Sequence, residues 1–307
     1  MPLTRRLFLA ASTLTVAGCA TSPVVNGQPA LAPSEPPPTQ DPLVGAAAAE
    51  VSALKAVLDA LSTQAGYQYQ PWAVAAAAQC DAHLTRLRVP DPLSPEPQEP
   101  FPAPTPTPSV AGPVLDDTLT AQVGASVAAL EDAAAGADEA DLRLLLASAA
   151  AATVGLRNTA VAPVAGTATP HRMQPTTLAA SLPITLGHAW ALIYGLGVGI
   201  GRLPRKDPLR EALGARLASA KVLRNELRAA LEGEPIDQPA AFELPTPMDS
   251  VASIKEGWAV LEGNLLDGYA RLVAADALPL WRERMRSQVP VVQQSGGTIE
   301  FWTGWVS

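Results

Sequence analysis

A thiol close to the start of the chain has surroundings that would allow its acylation. Cys19 follows Val16, Ala17 and Gly18, and the two residues directly before it have the small side chains that a signal-peptide cleavage site requires. Cleavage after Gly18 would make Cys19 the new amino terminus, and its thiol could then take a diacylglycerol. The sequence therefore predicts cleavage of residues 1–18 and a lipid on Cys19.

The residues before this cysteine have the composition of an export signal. Arg5 and Arg6 supply the positive charge, and the segment from Leu7 to Gly18 is uncharged. Its 12 residues would reach about 18 Å as a helix, which is well short of the roughly 30 Å hydrocarbon core of a bilayer. A processed signal is therefore favoured over a permanent membrane span.

Two motifs of bacterial export resemble parts of this segment. Residues 16–19 resemble the lipobox, which directs cleavage before a lipid-bearing cysteine. Residues 4–9, Thr-Arg-Arg-Leu-Phe-Leu, resemble the twin-arginine motif, whose pathway carries folded proteins. These resemblances imply a protein held by its lipid at the extracytoplasmic face of the cell membrane. Adjacent arginines also occur in general secretory signals, so both export routes stay open.

The number of cysteines agrees with this assignment. The chain has two cysteines, Cys19 and Cys80, so acylation of the first leaves the second without a partner for a disulfide. Cys80 lies in an alanine-rich helical pattern, where we expect a small buried thiol.

The charge of the chain excludes some partners. Without Arg5 and Arg6, 19 basic and 29 acidic side chains remain, so the mature chain has a formal net charge of −10. An acidic protein with few aromatic residues is a poor binder of nucleic acid or of anionic lipid surfaces. We expect no nucleic acid partner, and membrane attachment must come from the acyl chains.

The histidines do not have the spacing of a di-iron centre. Such a centre needs four inward carboxylates and two histidines, with Glu-x-x-His on each of two helices. The residues three positions before His83, His171 and His188 are Cys80, Ala168 and Thr185. We therefore expect no metal site and no cofactor.

The elements that would position any site are helices. Residues 19–42 form a flexible tether rich in Pro, Ser, Gly and Gln, and residues 43–160 form a helical region with a proline-rich connector at 89–113. The first helix has apolar residues at spacings of three and four, namely Val44, Ala47, Val51, Leu54, Leu58 and Leu61. The helices of this region pair as hairpins, which either form a second bundle or pack against the rest of the chain.

Residues 176–307 repeat the layout of helix, helix, proline-rich connector, helix, helix. The uncharged stretch from Met173 to Gly201 is long enough for a membrane span, but its glycines favour a buried core helix. Asp207 and Asp249 are predicted to cap the next two helices, and a last helix begins near Asp276. We expect an aromatic tail, with Phe301, Trp302 and Trp305, to fold back on the bundle. A long connection between the second and third helices is typical of the ferritin-like four-helix bundle.

Residues 178–305 resemble the ferritin-like domain of uncharacterised function found in actinobacterial envelope lipoproteins. The segments that carry the resemblance are Gly187-His188-Ala189-Trp190, Leu192-Ile193-Tyr194-Gly195 and Phe242-Glu243-Leu244-Pro245. The resemblance implies an all-α, ferritin-like bundle in this half of the chain. The chain departs from the family pattern where the family has a Glu in its first helix, which is Gly187 here, and where its second helix often has a His, which is Ala220 here.

A possible pocket is predicted among polar and aromatic residues of this bundle, namely His188, Trp190, Tyr194, Arg216, Arg224, Trp258 and Glu262, with Trp281 nearby. Glu262 flanks the apolar stripe of its helix, and His188 is expected to be a core or cavity-lining histidine. Arg216 and Arg224 either pair with Glu262 across the bundle or bind an anionic ligand.

These observations predict an exported, lipid-anchored cell-envelope protein with a non-catalytic binding or scaffold role. Its partner would be an envelope protein or a small ligand that the sequence does not identify. Two alternatives belong to other classes: a ferritin-like metal-dependent oxidase or metal-storage protein, and a carrier of a small ligand.

Overall fold

A computed structural model of the chain describes residues 38–105, 116–231 and 236–305. The described residues that follow Pro38 belong to one compact unit. The predicted signal peptide with Arg5, Arg6 and Gly18, the predicted acylation site Cys19, and the predicted tether up to residue 37 lie outside the described residues.

Helices form all the regular structure of the described residues, where no strand occurs, so the all-α prediction is confirmed. One isolated parallel bridge joins Val164 to Glu300. The helices are α1 Pro42–Thr63, α2 Gln70–Leu87, α3 Asp116–Gly136, α4 Ala140–Gly155, α5 Leu178–Arg202, α6 Leu209–Ala229, α7 Val251–Ala275 and α8 Pro279–Gln294.

The first four helices and the last four pack in the same order. In the first half, α1 packs against α2 and α3, and α3 packs against α4. In the second half, α5 packs against α6 and α7, and α7 packs against α8. The second and fourth helices of each half do not pack closely along their described backbones. The two halves therefore share one layout, and each leaves a gap between two of its helices.

The halves are joined because α4 packs against both α7 and α8. Arg143 of α4 is buried, and its Nε donates to the carbonyl oxygen of Val273 at 3.0 Å while its Nη2 donates to that of Ala274 at 3.3 Å. These carbonyls belong to the last turn of α7, where a helix has acceptors without internal partners and where its dipole favours a cation. Arg143 thus fixes the end of α7 to the first half.

Helix α5 is the one described helix that is long and apolar enough to cross a membrane. It packs between α6 and α7, and Leu186 and Leu192 are fully buried there. Gly195 allows the close approach of α7, since a Cβ at this position would lie 2.4 Å from Cδ1 of Leu261. The apolar face of α5 is therefore used inside the protein.

Three helix starts differ from the sequence prediction. Helix α6 begins at Leu209 with Pro208 at its capping position, so Asp207 lies one residue earlier than predicted, although its Oδ1 accepts from the backbone N–H of Leu209 at 2.9 Å. Helix α7 is capped by Ser250 and not by Asp249, because the hydroxyl of Ser250 accepts from the backbone N–H of Ser253 in a capping box. Helix α8 begins at Pro279 and not near Asp276. The carboxylate of Asp276 instead accepts from the backbone N–H of Leu278 and from Nε1 of Trp281.

The described part of the proline-rich connector packs against the end of α2. Arg88 donates to the carbonyl oxygen of Phe101 from Nε at 3.1 Å and from Nη2 at 2.7 Å, and Leu93 is buried. The connector prediction included residues 106–113, which lie outside the described residues.

Candidate functional site

A carboxylate is buried among the helices of the second half. Glu262 on α7 is fully buried, and its Oε1 accepts from Nε of Arg216 and from Nε1 of Trp258, each at 2.7 Å. Its Oε2 accepts from Nη2 of Arg216 and from Nε2 of Gln288, again at 2.7 Å. The four residues form a network, which we call the Glu262 network, across α6, α7 and α8.

The positions of these residues follow from helix geometry. Trp258 and Glu262 are four residues apart and share a face of α7, so the indole can reach the carboxylate. The guanidinium of Arg216 forms the bidentate arrangement that suits a carboxylate. A buried charge of this kind is stable only when a counter-charge and further donors complete its coordination. The Glu262 network meets this condition.

The two arginines of α6 behave differently. Arg216 forms the ion pair with Glu262, which was one of its two alternatives. Arg224 donates to Oδ1 of Asn225 from Nε at 3.1 Å and from Nη2 at 2.8 Å, so the alternative that it pairs with Glu262 is wrong. Eight residues correspond to about 12 Å along a helix axis, and a single carboxylate cannot span that distance.

Gln288 was missed by the sequence prediction. It lies on α8 and is buried, and it joins the network through both ends of its amide, since its Oε1 also accepts from Nη2 of Arg216 at 3.3 Å. The sequence contained a signal for it, because Trp281, Met285 and Gln288 are spaced by four and three residues, the spacing of one helix face. A glutamine on such a face indicates a buried hydrogen-bond partner.

The other predicted pocket residues are distributed over separate places. His188 lies on α5 beside Gly268 and faces a different cavity, lined also by Asp267 and Arg271. Tyr194 packs against Phe242 of the α6–α7 connection, with ring centroids 5.9 Å apart. Trp190 is buried in the core, and Trp281 donates from Nε1 to Asp276 at 3.1 Å. The structure thus brings together Arg216, Trp258 and Glu262 and separates the rest.

A groove between α6 and α8 lies over the Glu262 network. It encloses about 320 Å³, and Arg216 and Tyr269 form part of its lining. Tyr269 is only 2% exposed, and its hydroxyl has no hydrogen-bond partner among the described residues. Burial raises the pKa of Tyr269, so the hydroxyl stays protonated. An ion pair between Arg284 and Glu226, 2.6 Å between Nη2 and Oε2, joins the two helices at the groove.

The equivalent gap in the first half is filled by the end of the chain. Nε2 of His83 on α2 donates to the carbonyl oxygen of Phe301 at 2.8 Å, and Oγ of Ser148 on α4 donates to that of Thr303 at 2.7 Å. The ring of Trp302 lies against His83, with centroids 4.8 Å apart. The tail folds back on the helices as predicted, but these contacts are to α2 and α4 of the first half and not to the bundle of residues 176–307, on which the prediction placed it.

Burial controls the protonation of this region. His83 is fully buried, and desolvation lowers its pKa to about 4, although the hydrogen bond to Phe301 opposes the shift. Cys80 is a buried free thiol, as predicted, and burial raises its pKa, so it is not a reactive thiolate. Nε1 of Trp72 and both amide atoms of Gln79 are buried without partners among the described residues.

Within residues 38–105, 116–231 and 236–305, no three side chains of His, Cys, Asp or Glu lie close enough together to hold a metal ion. Glu262 already accepts four hydrogen bonds, and the two inward histidines, His83 and His188, belong to different halves. The geometry of the Glu262 network therefore suits a structural role.

Comparisons of the chain with protein-family models, with curated proteins and with solved structures find no match. The resemblance to ferritin-like envelope lipoproteins therefore stays a prediction that rests on the sequence motifs.

Proposed function

We propose that this protein is an exported lipoprotein, held at the extracytoplasmic face of the cell membrane by a lipid on Cys19, with a non-catalytic binding or scaffold role. The anchor is supported by the sequence of residues 16–19 and by the charged and apolar segments that precede it. The acidic net charge supports attachment through acyl chains, because an acidic surface is repelled by anionic lipids.

We propose further that the second half is a ferritin-like bundle without a metal centre. In support, α6 and α7 are joined by a long connection, from Ala230 to Ser250, and α5 and α7 pack against each other. A long connection of this kind lets the second pair of helices begin at the opposite end of the bundle from where the first pair ended.

One observation carries the non-catalytic part of the proposal: both oxygens of Glu262 are occupied by protein donors. A general acid or base, or a metal ligand, needs an oxygen that can reach a substrate or an ion. The side chain of Glu262 is 0% exposed, and each oxygen accepts two hydrogen bonds of 2.7 Å. Recruiting this carboxylate would leave the Arg216 guanidinium, the indole and an amide without partners.

The anchor is tested by replacing one sulfur atom. We expect Cys19→Ser to move the protein from the membrane fraction to the soluble fraction, and to abolish incorporation of a labelled fatty acid. Cys80→Ser is the matched control, because it removes the other thiol, which is buried in α2. Unchanged sedimentation of the Cys19→Ser protein with membranes would contradict the proposal.

The metal-dependent alternative is tested separately. A ferritin-like oxidase or storage protein would copurify with stoichiometric iron or manganese. Elemental analysis of the protein folded in cells supplied with both metals measures this directly. We expect less than about one metal ion per ten chains, because the described carboxylates and histidines do not form a ligand set.

A further inference from the structure

His188 lines a cavity, as was predicted for it, but its neighbours there are Asp267 and Arg271 and not the predicted pocket residues. The cavity encloses about 250 Å³ and lies between α5, α7 and the segment that precedes α5. His188 and Ile184 line it from α5, and Asp267 and Arg271 line it from α7. A second cavity of about 340 Å³ adjoins it, since Asp267 and Gly304 line both. This place is separate from the Glu262 network and from the groove above it.

The charged groups of this cavity, the half-buried Asp267 and the exposed Arg271, have no partners among the residues that the structure describes. Asp267 and Arg271 form no hydrogen bond or ion pair with another described residue. They are four residues apart on one face of α7, where their Cβ atoms are about 5–6 Å from each other. Opposite charges at this spacing commonly form an ion pair. Asp267 and Arg271 do not form one, so each side chain is free to bind a group of a ligand.

The pKa shifts of Asp267 and His188 agree with a ligand site in this cavity. Burial raises the pKa of Asp267 to about 6, and the nearby carboxylate of Glu300 contributes to the shift. No cation among the described residues forms an ion pair with Asp267, so a ligand ammonium group would stabilise the carboxylate. Burial lowers the pKa of His188, and the charge of Arg271 adds to the effect, so the imidazole is neutral near pH 7. The neutral imidazole can hydrogen-bond a ligand beside the arginine.

The remaining walls of the cavity are apolar. Leu144 and Ala274 are buried side chains, and Ile184 is 39% exposed at the cavity, although it is a large hydrophobic residue. A ligand substituent that covers Ile184 would remove apolar surface from water. Ligand cavities usually enclose about 300–1,000 Å³, so a cavity of about 250 Å³ limits the ligand to a small molecule.

We propose that this cavity binds a small zwitterion with an apolar substituent, such as an apolar amino acid, with its carboxylate on Arg271 and its ammonium group on Asp267. An arginine provides two parallel donors for a carboxylate, and Asp267 provides acceptors for an ammonium group. The apolar substituent lies against Ile184 and Leu144. This inference does not depend on the lipid on Cys19, so either proposal can fail alone.

Calorimetric titration of the full-length protein in detergent with L-leucine and L-phenylalanine tests the proposal. We expect saturable binding of at least one of them. Isoamylamine lacks the carboxylate of leucine, and 4-methylpentanoate lacks its ammonium group, so we expect each analogue to bind about ten-fold or more weakly than leucine. Asp267→Asn and Arg271→Gln should each weaken leucine binding by a similar factor.

Two residues outside this cavity, one exposed and one half-buried, provide matched controls. Glu283 of α8 forms no ion pair with a described residue, and Arg224 of α6 bonds only to Asn225, so Glu283→Gln and Arg224→Gln should leave leucine binding unchanged. Thermal unfolding of each variant establishes whether it is folded. If a variant does not fold, the binding of the two analogues to the unchanged protein still tests the proposal.

Three results would overturn the proposal. Equal binding of 4-methylpentanoate and leucine would show an anion site at Arg271 alone. Equal binding of isoamylamine and leucine would show a cation site at Asp267 alone. No binding of either amino acid at millimolar concentration would show that the cavity does not take apolar zwitterions.

Discussion

The two halves of this protein have the same helix layout, but the gap between the second and fourth helices is filled in the first half and open in the second. Between α2 and α4, the turn formed by residues 301–304 fills the gap, and its carbonyl oxygens accept from the neutral side chains of His83 and Ser148. Between α6 and α8 a groove of about 320 Å³ remains. There the helices are connected through a charged network around Glu262, together with the Arg284–Glu226 pair.

This difference shows that one arrangement of helices can be stabilised by two kinds of interaction, the burial of apolar surface and a buried network of charged and polar groups. The first half gains from the burial of aromatic surface, since Trp302 and Trp305 are 6% and 3% exposed. The second half depends on a network in which each charged member needs the others. The first kind of interaction involves no ion pair, whereas the second fails when one partner of its ion pair is removed. Three predictions test this difference between the halves.

The largest effect is expected from Trp302→Ala. The indole is buried against the ring of His83, whose Nδ1 has no hydrogen-bond partner among the described residues, and removal of the indole leaves a cavity beside this ring. We expect a loss of about 3–5 kcal/mol in the free energy of unfolding, measured by denaturant titration. Leu280→Ala is the control, because Leu280 is 43% exposed, and its effect should stay within about 0.5 kcal/mol. A loss as small as that of the control would show that the tail is not an integral part of the first half.

An intermediate effect is expected from Glu262→Leu. The side chains are similar in size, but Arg216 then keeps a positive charge at a site where its side chain is only 14% exposed. We expect the free energy of unfolding to fall by about 3 kcal/mol.

The double variant Glu262→Leu/Arg216→Met should be more stable than either single variant, because it removes both charges. The coupling energy from this cycle measures how far the second half depends on the pair. Additive losses in the cycle would contradict a network of mutually dependent charges.

The smallest effect is a pH dependence that comes from His83. Its pKa is about 4 in the folded protein and about 6.5 in the unfolded chain, so the unfolded chain binds more protons between these values. Stability should therefore fall as the pH falls from 6.5 towards 4. Between pH 7 and pH 5, we expect His83 to account for a loss of about 2 kcal/mol.

His83→Gln should remove this part of the pH dependence, and denaturant titrations at the two pH values measure it. His171→Gln is the control, since His171 is exposed, and it should leave the pH dependence as it is in the unchanged protein. The same pH dependence in the His83→Gln protein would mean that another group is responsible.

The sequence allowed the helices to be predicted, because helix periodicity is local. The stripe Val44, Ala47, Val51, Leu54 and Leu58 is buried along α1 as its spacing predicted. The capping residue of α7 was assigned one position too early, since Asp249 and Ser250 are both good capping residues. Their hydrogen bonds, and not their types, decide between them.

The candidate site was only partly predictable. Helix spacing places Trp258 and Glu262 on one face, and Arg216 can reach that face. Helix spacing does not show that Gln288 completes the Glu262 network or that Arg224 donates to Asn225. His188 and Asp267 are 79 positions apart in the chain and lie on different helices, so their common cavity depends on how α5 and α7 pack.

Local sequence was enough to predict the helices and the burial of Cys80, because each follows from the order of apolar and polar residues along a few turns. Tertiary structure decided which gap is filled and which stays open, since Phe301 meets His83 across 218 residues of chain. It also decided that Glu262 is fully hydrogen-bonded while Asp267, five residues later on the same helix, is not. Five residues turn a helix by about 140°, and the neighbours on the two sides are different helices.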